Sequence, residues 1–187
     1  MDGNIFLQNK KMKSEKISIY RSNNFTFDFR FKHFNFYHKI YYLCKSKKLD
    51  IMMLKIKEGL SPQLKKKHLN FSVLLTNDED ISTVNNKFRK LNMPTNVLSF
   101  ESNLNSKNFF KINDKEVYLG DIIISMERIF HESKINNMYF NDHFIHIFMH
   151  GILHVLGYDH KTDNQQQEME QKEISILNEL GIENPYE

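Results

Sequence analysis

His150 and His154 are four residues apart in the run HGILHVLGYDH (residues 150–160), and His160 closes it six residues further on. On a helix, residues four apart lie one turn above each other on the same face, so His150 and His154 point the same way. Gly157 can adopt the left-handed conformation that ends a helix, after which the chain turns back and His160 can return beside the other two. Three neutral imidazoles and one open position make a hydrolytic zinc site, in which water on the ion ionises near pH ~7. The residues therefore read as those of a zinc-dependent hydrolase.

Two further histidines share the strip. His143, His146, His150 and His154 are spaced 3, 4 and 4 residues apart and fall within an arc of about 80° at ~100° per residue. The rest of that segment, from Phe144 through Leu156, is apolar almost all round, as in a buried helix. Burying several imidazoles on one strip is costly unless their nitrogens are satisfied, and a metal does that for two or three of them. Spacing alone leaves His146 and His150 as an alternative pair. His160 reaches the last helical turn most easily, which favours His150, His154 and His160, with His143 and His146 as orienting or core residues.

The same offsets occur in HExxHxxGxxH metallopeptidases, where a Glu beside the first His is the general base. Here that position is Gly151, which disfavours peptide hydrolysis. Two carboxylates near the motif are weaker candidates. Asp159 is a base, a partner of a ligand or a turn-former bonded to its own backbone. Asp121 is unusual within an apolar strand and is either a carboxylate facing the site or the strand's polar entry.

The string HGILHVLGYDH resembles the signature of the YbeY family, zinc endoribonucleases of ribosomal RNA maturation. Phe88-Arg89 with PTNVLSF (residues 94–100), LGDIIIS (119–125) and the tail from Glu168 to Tyr186 resemble further segments of that family, in the family's order, from about Asn70 to the C-terminus. The resemblance implies that His150, His154 and His160 hold one Zn2+ and that Arg89 is catalytic. It implies a single-strand-specific endoribonuclease acting on the 3′ end of small-subunit ribosomal RNA and in ribosome quality control. Its partners would be precursor ribosomal RNA and the small subunit, with ribosomal proteins or GTPases of assembly. The sequence departs from the family's pattern at Asn96, where many members have Asp, and at Glu101, where Pro is common. A peptidase or amidase on the shared spacing and a non-catalytic assembly factor with structural zinc are the competing readings.

The elements that must position these residues follow from pattern. Strands are expected at Ile17–Tyr20, Asn70–Thr76, Val97–Phe100 and Val117–Ser125, the last an unbroken apolar run and so central. Helices are expected at Phe36–Cys44, Ile51–Glu58, from Asp78 through Phe88, Ser125–Lys134, Asn141–Leu156 and Asn164–Leu180, the last with Asp163 as N-cap and Gly181 as stop. Ser102–Lys115 reads as a polar connector. An α+β domain results: a small mixed sheet with flanking helices mostly on one side, zincin-like, the metal site on a central buried helix. Residues 1–16 read as a flexible leader, with Met12 a candidate start, and 17–187 as one domain.

Composition bounds the rest. One cysteine, Cys44, excludes an internal disulfide and a cysteine zinc site and fits a cytoplasmic protein. No apolar run reaches the ~20 residues that span a bilayer. The net charge is only +3, but residues 1–70 carry 16 Lys+Arg against 5 Asp+Glu. Such a basic region supplies phosphate attraction, with Lys45, Lys47, Lys48 and Lys65–Lys67 as contacts. A Lys-, Asn- and Ile-rich composition of the kind an AT-biased genome produces explains it equally well as solvated surface.

Overall fold

The computed structural model describes residues 4–6, 16–22, 24–32, 37–102 and 115–187. Six strands, β1 (Asn4–Phe6), β2 (Lys16–Arg21), β3 (Phe25–Phe31), β4 (His68–Thr76), β5 (Val97–Glu101) and β6 (Glu116–Ser125), form one sheet in the order β1-β2-β3-β4-β6-β5. β3, β4 and β6 run parallel, whereas β1, β2 and β5 join by antiparallel pairing. The sheet is mixed, as expected, and β6 is internal to it. Among the described residues seven helices accompany it: α1 (Tyr37–Lys45), α2 (Lys48–Glu58), α3 (Pro62–Lys65), α4 (Asp78–Arg89), α5 (Met126–Ile135), α6 (Phe140–Val155) and α7 (Asp163–Glu179).

β3 is an element the sequence reading missed. Its segment FTFDFRF alternates strictly, and Phe25, Phe27, Phe29 and Phe31 are all buried. That period-2 pattern is the mark of a strand with one covered face. The two middle rings meet α6 at Phe148, whose ring lies 4.9 Å from that of Phe27 and 5.8 Å from that of Phe29. Around this contact one core runs from Tyr20 to Ile182, taking in Met52 and Ile56 of α2 and Ile176 of α7. Cys44 is buried at its edge, where desolvation pushes the thiol up to about 12 and leaves it inert at neutral pH.

The expected leader is not without structure, because Asn4–Phe6 pairs with Arg21, Tyr20 and Ile19. Residues 1–3 and 7–15 lie outside the described residues, as do 103–114 of the expected connector. α7 is capped by Thr162 rather than by Asp163. The Thr162 side chain accepts from the Gln165 backbone N–H while the Gln165 side chain accepts from the Thr162 N–H. Both Thr162 and Asp163 are cap-forming types, and the T-x-x-Q spacing decides between them. No helix among the described residues is long and apolar enough to cross a membrane.

Candidate metal centre

α6 is buried along most of its length because sheet and helices cover it; His150 and His154 lie on the strip left half-open. The helix ends in a Schellman motif. Gly157, at φ +93°, donates to the His154 carbonyl (2.9 Å), and Tyr158 N–H donates to the Leu153 carbonyl (3.0 Å). This reversal brings His160 back. Its ring centroid lies 4.9 Å from that of His154 and 5.6 Å from that of His150. One ligand atom from each of the three histidines falls within 4.8 Å of the others.

The donor set fits a cation. The Nδ1–H of His150 donates to Glu173 Oε1 (2.7 Å), and the Nδ1–H of His154 donates to the Tyr158 carbonyl (3.0 Å). With their protons on Nδ1, both rings carry a lone pair on Nε2, and these two nitrogens face each other at 3.0 Å. Burial, then the neighbouring His150 and His160, lowers the pKa of His154, so protonation does not relieve the contact. Two lone pairs pointed at one place, beside a third imidazole, are what a metal ion with ~2.0–2.1 Å Zn–N bonds satisfies.

Glu173 is the residue the sequence reading passed over. It is fully buried on α7, where its carboxylate takes His150 on one oxygen and His146 (3.2 Å) and the Tyr186 hydroxyl on the other. Burial alone would raise its pKa, but the hydrogen bonds from His146 and His150 outweigh it and hold the group down to about 2. A carboxylate behind a ligating imidazole fixes its tautomer and strengthens its basicity. The signal was legible: an acid lies among Met169, Ile176 and Leu177 on the apolar face of α7. Glu173→Gln is expected to weaken zinc affinity about 10- to 100-fold, read by competition with a chromophoric chelator; unchanged affinity would remove Glu173 from the site.

His143 and His146 turn elsewhere. His143 Nε2–H donates to Glu132 Oε2 (2.9 Å), an oxygen that also accepts from the Asn96 amide (3.2 Å). An Asp at 96 would set a second carboxylate against Glu132, so Asn suits this pairing. Asp121 is exposed, accepts from the Tyr118 hydroxyl (2.6 Å) and does not line the cleft. Asp159 lines it, but its carboxylate takes the His160 N–H (2.9 Å) and Lys161 (2.5 Å), the part of a turn-former.

The three histidines open onto a cleft of about 590 Å³ that Arg89, Thr95, Asn96 and Ser99 also line. Arg89 ends α4 immediately before the left-handed Lys90, so the structure brings it to the same cleft as the histidines. Gly151 lies where α6 presses on the sheet. A Cβ there would sit 3.1 Å from side-chain methyls of Ile122 and Val97 and 3.2 Å from Ser99 Oγ. Strand side chains yield poorly, so Gly151→Glu is expected to destabilise the fold by about 1–3 kcal/mol without conferring peptidase activity. A unchanged urea midpoint would show the site to be roomier than this.

The chain is similar to known proteins along most of its length. The family model of the endoribonuclease YbeY matches residues 41–181, beginning well before Asn70, where the motif resemblance begins. The endoribonuclease YbeY of Neorickettsia sennetsu is 41% identical over 138 residues, 74% of this chain and 90% of that protein. The endoribonuclease YbeY of Francisella tularensis subsp. novicida is 39% identical over 119 residues, 64% of this chain and 72% of its own. A Thermotoga maritima protein known from a solution structure aligns at 27% identity and a TM-score of 0.45, over 72% of this chain and 82% of that one.

Proposed function

The chain belongs to the endoribonuclease YbeY family, and on that premise we propose that it cuts single-stranded RNA with Zn2+ held by His150, His154 and His160. Its substrate in this reading is the 3′ end of precursor small-subunit ribosomal RNA, met in the cytoplasm on or beside the maturing subunit. Ribosome quality control would use the same cut, with ribosomal proteins or assembly GTPases as partners. The observation that carries the reading is the pair of facing Nε2 atoms beside His160, in a cleft shared with Arg89.

Each residue has a task that follows from its chemistry. When bound, the ion supplies Lewis acidity that lowers the pKa of water and offsets charge on phosphoryl oxygens. Glu173 and the Tyr158 carbonyl hold the imidazoles of His150 and His154 in the tautomer that leaves Nε2 free. The Arg89 guanidinium, a planar fork, takes two phosphoryl oxygens at once and meets the charge that grows as the phosphoester bond breaks. Lys161, at the mouth, is paired with Asp159. A structural zinc takes four protein ligands; three histidines are grouped here among the described residues, which favours an enzyme over a static scaffold.

The test is to incubate zinc-loaded protein with small-subunit precursor RNA extended at its 3′ end and to map the product ends, with and without a chelator. Cuts within the single-stranded extension are expected, lost on chelation and restored by zinc. Cleavage persisting without metal would sink the metal mechanism. Intact RNA with zinc confirmed on the protein would move the function to non-catalytic assembly.

A further inference from the structure

A second hollow, of about 460 Å³, lies between α1, the start of α2 and the N-terminal end of α6. It shares no lining residue with the metal cleft. Phe140, in its wall, precedes His150 and His154 by ten and fourteen residues on one helix, a rise of about 15–20 Å.

Two aromatic rings flank it in water: Tyr42 is 68% exposed and Tyr139 is 83% exposed. Single exposed aromatics are ordinary, but these two border one concavity together with lysines. Lys39 Nζ sits 4.3 Å from the centre of the Phe140 ring and 5.9 Å from that of the half-exposed Phe130, with Lys134 on Phe130 at 5.6 Å. The one acid in the wall, Asp142, is neutralised by Lys48 at 3.0 Å. Residues 39–48, which run along the hollow, carry four lysines and no acid. Glu183 and Glu187 line the neighbouring hollow beyond Tyr139, so a polyanion is favoured on the lysine side alone.

We infer that this hollow is a second contact for single-stranded RNA: Tyr42 and Tyr139 stack bases, and the adjoining lysines face the phosphates. Exposed rings with cations between them suit any base, because every base has a π-face, and a duplex would not offer those faces. The lysines beside the two exposed rings favour a polyanion with stacking faces, which single-stranded RNA is. One strand seated in both places would be anchored at the hollow while its phosphodiester lies in the cleft. This inference rests on the nuclease reading above.

Fluorescence anisotropy with a long unstructured oligoribonucleotide tests it, on zinc-loaded protein with a non-cleavable backbone in the probe. Tyr42→Ala and Tyr139→Ala are each expected to weaken binding about tenfold, to raise KM for long RNA and to leave kcat unchanged. A dinucleotide, too short to reach from the cleft to the hollow, should bind both variants as it binds the parent. Lys39→Gln should lower the salt slope by about one. Unchanged affinity in both tyrosine variants, with Arg89→Glu weakened, would confine RNA to the cleft and overturn the inference while the nuclease reading stands. A ribosomal protein released by the tyrosine variants, with RNA affinity unmoved, would assign the hollow to a protein and likewise overturn it. A parent protein that neither binds nor cuts RNA would remove the nuclease reading itself.

Discussion

His154→Ala is expected to abolish stoichiometric zinc binding and to lower RNA cleavage by at least about 10³-fold, the several kcal/mol that a Lewis-acidic ion contributes to a phosphoryl transition state. His154 is the middle one of the three grouped histidines: its ring lies 4.5 Å from that of His150 and 4.9 Å from that of His160 between centroids. Without it, two imidazoles remain. The loss is not one of folding. His154 is only half-buried and lines the cleft, so truncating its ring leaves the hydrophobic core intact. Zinc should raise the Tm of the parent, by about 2.7 kcal/mol of added stability at a hundredfold excess over Kd, and leave the variant's Tm unchanged. Activity retained in a variant that binds no metal would end the metal mechanism.

Arg89→Glu is expected to leave zinc content intact and to reduce cleavage by about 10²–10³-fold, the usual cost of losing one donor aimed at developing negative charge. Arg89 is exposed in the last turn of α4 and lines the same cleft as the histidines. Its alternative task is to complement the C-terminal end of its own helix, which is worth about 0.3–1 kcal/mol. The two are separable. A merely structural Arg89 would show a lower Tm with normal cleavage; a substrate-facing one would show normal metal binding and a collapse in kcat/KM. Arg89→Lys should recover part of the rate, because the charge remains and the fork is lost.

Most of the scaffold was readable from periodicity. The buried helix around His150, the glycine stops at 157 and 181 and the central strand through Ile122 and Ile124 all occur where their patterns put them. What was misread had competing local signals. β3 lies in a Lys- and Asn-rich region whose composition suggested surface, although its alternating phenylalanines said otherwise. The cap of α7 was assigned one residue late because Thr162 and Asp163 are both good caps. α1 and α2 carry no chemical motif, so the resemblance stopped short of them while the family model does not.

By itself the sequence determined the three histidines, because the four-residue helical spacing and a glycine turn are local and need no distant partner. It also put Arg89 forward, through the motif around it, but not its place beside the histidines. That place is tertiary: α4 and α6 are about sixty residues apart in the chain, and only the fold brings Arg89 and the imidazoles to one cleft. Glu173 is likewise decided by packing, since a carboxylate on a helix is ordinary until α7 lies against α6 and buries it on two histidines. Types and spacings along one element follow from bonded geometry. Which side chains from different elements meet follows from how hydrophobic faces close on one another, and that is a property of the whole fold.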